Sequence, residues 1–366
     1  MSRFECVRGL AAVLAAVLSA TRPAMSFGYE DAIGIGTDLP GISPSTLALG
    51  GVRAVSYGEP ACVLLNPAYL CRYSTTGLSV SIGPGIAKEQ LDDSTGRHTR
   101  DYIALGQLAA SARIPLGGSF AAGAGIARIT DQSYDGLHYI ADDPVLPGKI
   151  TGLETYGSSG GLWEAVGGLS WRARRWLLLG ASAGPRFGSG KGEYEYDDWE
   201  GEDDSTSTVT WEESSVAVHA GVSIPFDLNS IGVSWTSGSD RYPARVAAGA
   251  LLFSGSGLKG SFGGEVEIID PGEDQTISGR LMGAVSPSRQ MELRGSFFFS
   301  DRGSSAESRS RLGLSFGVGL TLGRALLEAA FSSCSSKRET TAFGFEGFED
   351  VTDRLSVFAA GLTLAL

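Results

Sequence analysis

Isolated charged residues recur along the sequence between residues 164 and 328, set among small and apolar residues. The set comprises Glu164, Arg172, Arg186, His219, Arg245, Lys259, Glu265, Glu267, Arg280, Glu292, Arg294, Arg311 and Glu328. Alternate side chains of a strand point to the same side of a sheet, so these groups would share one face. Opposite charges gathered on one face can pair with each other, bind a ligand or line a pore.

Four cations of this set, Arg245, Lys259, Arg280 and Arg294, lie on successive predicted strands. The guanidinium group of arginine presents N–H groups that match a carboxylate, so these cations could meet an acidic ligand. The alternative is that they pair with neighbouring glutamates and hold another part of the chain in place. We favour this second interpretation.

Enzyme motifs occur in the sequence only in unsuitable settings. G-x-S-x-G is spelled at 180–184 and at 313–317, inside predicted strands, whereas a nucleophile elbow needs a strand-to-helix turn. G-x-G-x-x-G at 255–260 falls in a predicted hairpin turn without a βαβ unit. His219 has no evident serine or carboxylate partner. We therefore expect neither an enzyme nor a bound cofactor.

Metal and thiol chemistry is weakly indicated. The histidines have no metal-ligand spacing: His98, His138 and His219. The acidic run at 197–204 offers the oxygen ligands that calcium prefers, but without the ordered spacing of a calcium loop, so we expect no metal site. In an oxidising compartment Cys62 and Cys71 could form a disulfide, which would leave Cys334 free, and the sequence leaves this question open.

The N-terminal residues predict export. Arg3 and Arg8 precede a short apolar run at 10–20, and Ala24-Met25-Ser26 offers a cleavage site before Phe27. We therefore expect a signal peptide at 1–26, whose apolar core is too short to span a bilayer. The formal net charge of −12 argues against a nucleic-acid partner, because phosphates are neutralised by surplus Lys and Arg.

From Gly77 onward the sequence alternates with a period of two. The clearest segment, 312–322, has an apolar face made of Leu312, Leu314, Phe316, Val318, Leu320 and Leu322. We count about fourteen such segments, starting near residues 77, 102, 118, 162, 176, 209, 229, 242, 258, 275, 290, 311, 325 and 354. Glycine, at 52 of 366 residues, also favours sheet because it weakens helices by about 1 kcal/mol per residue.

The connections between these segments alternate in length. Short ones occur at 115–118, 173–175, 225–228, 255–257, 287–289 and 323–324. Mostly longer and more polar ones occur at 83–101, 131–161, 188–208, 237–241, 270–274, 301–310 and 333–353. Outer-membrane barrels sort their loops in this way, whereas a soluble β-sandwich has no reason to. We predict an all-β fold, a transmembrane antiparallel β-barrel of about 14 strands (77–366), in the bacterial cell outer membrane.

Aromatic residues and the last strand agree with a barrel. Tryptophans lie near predicted strand ends, where two membrane girdles belong: Trp171 and Trp176 at a tight turn, and Trp163, Trp211 and Trp235 at the opposite end. The last segment, 354–366, alternates with its apolar face outward. It resembles the terminal strand read by the barrel-insertion machinery, although it ends in Leu366 rather than in an aromatic residue.

The segment at 27–76 does not alternate. Pro67 suits the first turn of a short helix, which Asn66 could cap through its side chain. A barrel of about fourteen strands is wide enough to need filling or to conduct water. This segment is therefore either a plug inside the barrel or a periplasmic tail.

Within this segment, LALGGVRAVSYGEPACVLLNPAYL resembles the N-terminal hatch signature of the FadL/TodX-type outer-membrane hydrophobic-compound transporters and of the related PorV/PorQ-type barrels. Asn66, Pro67 and Ala68 match the Asn-Pro-Ala triplet of that signature. The resemblance implies that 27–76 is a plug whose triplet acts as a gate. It also implies passive uptake of a hydrophobic small molecule, such as a long-chain fatty acid or a hydrocarbon.

The resemblance leaves an alternative function open, that of a PorV-like accessory barrel for protein secretion or surface attachment. The short chain and the polar loop at 188–208 favour it, while the more apolar loop at 131–161 could serve ligand capture. A general diffusion pore would require 27–76 to lie outside the lumen. The expected partners are a hydrophobic small-molecule ligand, the barrel-insertion machinery, and outer-membrane lipid and lipopolysaccharide.

Overall fold

The structure is a computed structural model, and it describes most of the chain after residue 36. The ranges are 37–38, 41–56, 59–93, 96–132, 134–140, 149–199, 204–226, 229–254, 259–271, 275–302, 310–338 and 348–366. In these ranges no helix has the length and apolar character needed to cross a membrane. The signal peptide expected at 1–26 lies outside the described residues and stays a prediction.

Three short helices precede the main sheet: α1 (Pro44–Ala48) and the 3₁₀ helices η1 (Pro60–Leu64) and η2 (Pro67–Arg72). The strands are β1 (Thr37–Asp38), β2 (Gly77–Asp93), β3 (Gly96–Gly117), β4 (Phe120–Arg128), β5 (Thr130–Asp131), β6 (Tyr134–Ile140), β7 (Gly152–Arg174), β8 (Leu177–Asp198), β9 (Ser205–Phe226), β10 (Asn229–Thr236), β11 (Arg245–Ser254), β12 (Lys259–Ile269), β13 (Thr276–Ser286), β14 (Met291–Arg302), β15 (Ser310–Leu322), β16 (Ala325–Arg338) and β17 (Phe348–Ala365).

The strands close into one antiparallel barrel. From β7 to β17 each strand pairs with the next along the chain, and β17 pairs back onto β2. Both β4 and β6 pair with β7, so they are two parts of a single strand. The barrel therefore has fourteen strands, which confirms the predicted all-β fold and its strand number.

The two faces of the wall differ as the alternation predicts. On β15 the apolar side chains point outward, with Leu314 49% and Phe316 57% exposed, while Ser315 between them is fully buried. On β12 Val266 is exposed, and its neighbours Glu265 and Glu267 are buried. An apolar outer surface around a polar interior is the arrangement of a membrane-spanning barrel.

The predicted long loops were wrong in extent, because the strands continue into them. The strand pairs reach Asp93 and Gly96 (β2 and β3), Ile140 and Gly152 (β6 and β7), Asp198 and Ser205 (β8 and β9), and Arg338 and Phe348 (β16 and β17). In the β8–β9 hairpin, residues 205–210 are exposed on both faces, so no apolar alternation marks this part of the strands. Their backbone N–H and C=O groups nevertheless pair across the hairpin, as antiparallel strands require.

The tryptophans divide between the two faces. Trp171, Trp176 and Trp235 are exposed on the outer surface, but Trp171 and Trp235 line one groove and do not lie in opposite girdles. Trp211 is buried instead, and its ring lies 5.4 Å from the guanidinium carbon of Arg241. Placing Trp211 in an outer girdle was therefore wrong, because its position on β9 has the inward parity.

We expect a charge on the outer face to be costly only within the apolar band. Leu314→Arg should lower the free energy of unfolding in a bilayer by about 2–4 kcal/mol, because arginine is poorly solvated at the membrane midplane. Val209→Arg is the matched control, since Val209 lies in a stretch of β9 where 205–210 are exposed on both faces. Its expected cost is below about 1 kcal/mol. Equal costs in urea unfolding from vesicles would contradict this assignment of the membrane band.

Candidate functional site

The N-terminal segment fills the lumen as a plug. Helix α1 begins with a capping box, in which the Ser43 hydroxyl accepts from the Thr46 N–H and the Thr46 hydroxyl accepts from the Ser43 N–H. This helix packs against β15 and β16, while η2 packs against β7 and β8 on the other side of the barrel. Nearly all described side chains from Ile42 to Cys71 are buried. The alternative of a periplasmic tail is therefore wrong for these residues.

Asn66 fastens the plug to the wall. Its side chain is fully buried, and its Nδ2 lies 2.7 Å from the carbonyl oxygen of Ala54 in the plug. The same Nδ2 lies 3.4 Å from the carbonyl oxygen of Val222 and 3.2 Å from that of Val233, on β9 and β10. Its Oδ1 accepts from the Ala68 N–H at 3.2 Å, which caps η2 as predicted. We call these contacts the Asn66 anchor.

Two wall glycines let the anchor approach closely. A Cβ at Gly221 would lie 1.9 Å from Asn66 Oδ1, and one at Gly180 would lie 2.3 Å from the Ala68 nitrogen. Pro67 begins η2, and the Ala68 carbonyl accepts from the Ser170 hydroxyl at 2.8 Å. The predicted triplet therefore sits directly on the backbone of β8 and β9.

A buried ionic group, which we call the Arg280 cluster, joins the plug to β11, β12 and β13. Arg280 pairs with Glu265 at 3.0 Å and also with Glu267. Glu267 further pairs with Arg245 at 3.3 Å and with the plug residue Arg53 at 3.0 Å. Both glutamate side chains are buried, so each depends on these partners for the solvation that water would otherwise supply.

The plug backbone completes the Arg280 cluster. Glu265 accepts from the N–H of Arg53 at 2.8 Å and from that of Ala54 at 2.7 Å. Arg280 Nε donates to the Gly50 carbonyl at 2.7 Å. These contacts place Arg245 and Arg280 in the arrangement that the sequence interpretation favoured, with glutamates as partners beside the plug.

The other two predicted cations have different surroundings. Arg294 on β14 pairs with Glu292 at 2.7 Å and with Glu328 on β16. Lys259 lies exposed at the start of β12, and it forms no ion pair with any residue that the structure describes. The structure therefore does not bring Lys259 into a common site with the three arginines.

Glu59 lies near Arg294 and Glu328, and it is a partly buried carboxyl group of the plug. The Ser43 hydroxyl donates a hydrogen bond to it. Burial raises the pKa of Glu59 to about 7, and repulsion from Glu328 adds to this rise. Glu59 is therefore the plug carboxyl whose charge changes near neutral pH.

A second buried ionic group, absent from our sequence predictions as a set, surrounds His219. Its Nε2 meets Glu164, its Nδ1 lies 3.1 Å from the Thr236 hydroxyl, and Arg186 pairs with Glu164 at 3.0 Å. The sequence showed no partner for His219 because strand register decides which inward residues meet. All four side chains are buried, so the hydroxyl, imidazole and carboxylate line up without access from solvent.

The third strand of the barrel is broken. One part of this strand, β4, pairs with β3 from Ala109 to Gly117. Within the described residues, no ladder joins the rest of β3 to the other part, β6. The two-residue strand β5 lies at the break and pairs with β1 of the N-terminal segment. The wall therefore has a gap in its hydrogen bonding between residues 96–108 of β3 and β6.

Specific contacts hold this break open. Arg128 donates to Asp131 and to the Gly160 carbonyl, both at 2.8 Å. Gly160 and Gly161 adopt φ values of 132° and 159°, and a Cβ at Gly161 would lie 2.7 Å from the Thr130 oxygen. The glycine pair lets β7 approach the Ser189 and Thr130 carbonyl oxygens closely at the break, which no other residue type would allow without strain. The sequence signal was this Gly-Gly pair, which falls at the end of the connection predicted at 131–161.

A small cavity of about 90 Å³ lies between plug and wall. Its lining includes the apolar residues Ile42, Val52, Leu65, Phe298 and Leu355, and the charged residues Arg53, Glu267, Arg280 and Arg311. It is smaller than the roughly 150 Å³ cavity that can hold benzene in another protein. A ligand would therefore need a shift of the plug to enter.

Cys62, Cys71 and Cys334 are buried and form no disulfide among the described residues, so Cys62 and Cys71 are not paired here. Burial raises the pKa of the Cys62 thiol to about 12, which makes it unreactive.

Of the acidic run at 197–204, residues 200–203 lie outside the described part of the chain. Among the described residues no cluster of His, Cys, Asp and Glu has a metal-binding arrangement.

Several solved structures have a fold similar to that of this chain. The chain is similar to a Pseudomonas aeruginosa FadL homologue, with a TM-score of 0.65, 11% identity and coverage of 90% of this chain and 99% of that one. The P. putida toluene transporter TodX has the same TM-score, identity and coverages. For the CymD monoaromatic hydrocarbon channel the TM-score is 0.55 and the identity 12%, with coverage of 90% of this chain and 98% of that one. No family model and no curated protein matches the sequence.

These likenesses define a plugged fourteen-stranded barrel of the FadL/TodX type. The predicted resemblance is therefore confirmed at the level of the fold. At 11–12% identity the likeness does not extend to individual residues.

Adding a methyl group at Gly221 should displace the plug. In Gly221→Ala the new Cβ would overlap Asn66 Oδ1, so we expect a higher single-channel conductance in planar bilayers. Gly167→Ala is the matched control, because a Cβ there meets nothing within 4 Å. Conductance of the Gly221 variant equal to that of the control would show that the plug is not seated on this glycine.

The seating of the plug should weaken as pH rises. Because the pKa of Glu59 is raised to about 7, the neutral form is favoured in the seated plug. This contribution is complete below the ordinary carboxyl pKa and is lost as pH rises through about 7.

We therefore expect a protease to cleave the plug more slowly at about pH 5 than at about pH 8. The ratio of the rate at pH 8 to the rate at pH 5 should be larger in the unmodified protein than in Glu59→Gln. That variant stays neutral at both pH values and serves as the control. A variant with the same pH dependence as the unmodified protein would contradict the assignment to Glu59.

Proposed function

We propose that this protein is a passive channel of the bacterial outer membrane for hydrophobic small molecules. The observation that carries the proposal is the combination of a plugged lumen with a broken wall. The plug occupies the path along the barrel axis, whereas the gap between β3 and β6 offers a path through the side. A solute that crosses such a wall must tolerate both lipid and protein interior, which a hydrophobic molecule does.

The position of the gap supports this path. β3 pairs with β4 over residues 109–117, close to the roughly 9–11 residues that a strand needs to cross a membrane. The unpaired part of β3 therefore begins near the outer boundary of the apolar band. A hydrophobic molecule gathered in the outer loops would reach the lumen at this level.

The cavity beside the plug supports a hydrophobic ligand with restricted size. Its lining includes the apolar residues Ile42, Val52, Leu65, Ile269, Phe298, Phe299 and Leu355, and at 90 Å³ it must enlarge before even a small molecule can enter. This favours a compact hydrocarbon over a long-chain fatty acid, because the smaller molecule needs the smaller shift of the plug. The fatty acid stays within the proposal, because the arginines at the cavity could meet a carboxylate after a shift of the plug.

In this proposal Asn66, Pro67 and Ala68 form the gate, and Arg245, Arg280 and Arg294 hold the rest of the plug. The Asn66 anchor consists of neutral hydrogen bonds, whereas the arginines belong to buried ion pairs. A local shift at the anchor would therefore enlarge the small cavity while the ionic contacts stay in place.

A second candidate function is that of an accessory barrel for protein secretion or surface attachment. The hairpin of β8 and β9 favours it, because exposed residues on both of its faces project beyond the membrane band and could contact another protein. This candidate predicts a stable complex with an exported protein and no movement of small molecules.

Uptake and bound ligand test the proposal together. Cells that express the protein should take up labelled toluene or hexadecanoate faster than cells that carry an empty vector. Mass spectrometry of the purified barrel should find a co-purifying hydrophobic molecule. Asn66→Asp should change the uptake rate, because it replaces two N–H donors with an oxygen that faces three carbonyl groups.

The folded state of each variant can be checked by its shifted mobility in unheated gels. A folded barrel with neither uptake nor bound ligand would overturn the channel proposal. A co-purifying exported protein in the same preparation would then favour the accessory function.

A further inference from the structure

The outer wall carries a second, larger concavity, which opens away from the lumen. It is a groove of about 510 Å³ on the surface of β7, β8, β9 and β10. Its lining is almost entirely apolar: Phe120, Leu169, Ser170, Trp171, Leu179, Gly180, Ala181, Ala220, Gly221, Val222, Val233, Ser234 and Trp235. We call this feature the wall groove.

Strand register explains why the wall groove exists. Ala181 and Ala220 are cross-strand partners, and they place two methyl groups side by side on the outer face. Leu169 flanks this pair on β7, and Trp235 flanks it on β10. Small side chains between two large ones leave a channel that runs along the strands.

The wall groove opens toward the lipid side of the barrel. Leu169, Trp171, Val233 and Trp235 are each more than 40% exposed on the outer surface. Ring stacking of Trp171 on Phe120, at 6.3 Å between centroids, gives the groove a rigid aromatic rim. Because this surface spans the membrane, the occupant of the groove must be an apolar group available within the bilayer.

Two arginines lie near one end of the wall groove. The turn between β7 and β8 presents the exposed side chains of Arg174 and Arg175 beside Trp176, which is 58% exposed. Arg174 follows Trp171 by three residues, or roughly 10 Å along an extended strand. Exposed tryptophans mark the headgroup level of a membrane, so these arginines lie where lipid phosphates lie.

We propose that the wall groove is a binding site for an anionic phospholipid of the inner leaflet. One acyl chain would lie along Ala181 and Ala220, and the phosphate would lie against Arg174 and Arg175. The apolar groove alone would accept any chain, whereas the two cations select an acidic headgroup. This proposal does not depend on the proposed transport function.

The site is also next to the plug. Gly180 and Gly221 line the wall groove, and the plug residues Asn66 and Ala68 pack against the same two glycines from the lumen side. Only the backbone of the wall separates a bound lipid chain from the Asn66 anchor. A lipid in the groove would therefore lie against the outer side of the wall backbone on which the Asn66 anchor rests.

Native mass spectrometry of the full-length barrel tests this site. The purified protein would be titrated with phosphatidylglycerol and, separately, with phosphatidylcholine of the same acyl chains. We expect one tightly bound phosphatidylglycerol and weaker phosphatidylcholine. The double variant Arg174→Gln/Arg175→Gln should lose phosphatidylglycerol affinity by about 30-fold and keep its phosphatidylcholine affinity.

Two further variants make the test specific. Ala220→Leu fills the floor of the wall groove and should weaken both lipids. Arg289→Gln/Arg324→Gln removes two exposed cations from other tight turns and should leave binding unchanged. Equal loss in the two double variants, or undiminished phosphatidylglycerol binding in Arg174→Gln/Arg175→Gln, would overturn the proposal. Gel mobility confirms that each variant is folded.

Discussion

The pairing of buried wall carboxylates with the plug is the interaction on which the remaining structure depends. A barrel of this width turns half of its side chains inward, and the charged ones need either water or a partner. Glu265 and Glu267 find that partner in Arg280, in Arg53 and in the plug backbone. The plug thus completes the solvation of the wall, and the wall fixes the plug. Neither is a stable arrangement of polar groups without the other.

The fold was predictable because one physical rule governs the whole wall. A strand in lipid must be apolar on one face, so residues such as Leu314 and Phe316 mark both the strand and its outward side. The same rule fails outside the membrane, where Glu195 and Thr206 pair in a hairpin that has no apolar face. For this reason the predicted loops were too long. The broken strand was missed because its signal, Gly160 with Gly161, lies in the stretch 131–161, which was predicted as a loop.

The candidate site was predictable in its parts and not in its assembly. The inward parity of Arg245, Arg280 and Arg294 followed from period two, and Asn66 followed from the hatch resemblance. Which residues meet depends on register and on where the plug lies, and neither leaves a mark in the local sequence. His219 illustrates this point, since its partner Glu164 is 55 residues away and two strands along the barrel. Lys259 has the right parity but sits at the mouth, where water solvates it.

The magnitudes of the contacts decide which part of the plug can move. Breaking one partner out of a buried ion pair costs about 3–5 kcal/mol, so releasing the Arg280 cluster would cost more than the stability of many domains allows. A neutral hydrogen bond contributes only about 0.5–1.5 kcal/mol, and the Asn66 anchor consists of a few such bonds. Release of the anchor alone therefore costs less than release of the whole plug. In the proposed channel the ionic side would be the fixed end of the plug, and the end that rests on Gly180 and Gly221 would be the end that shifts.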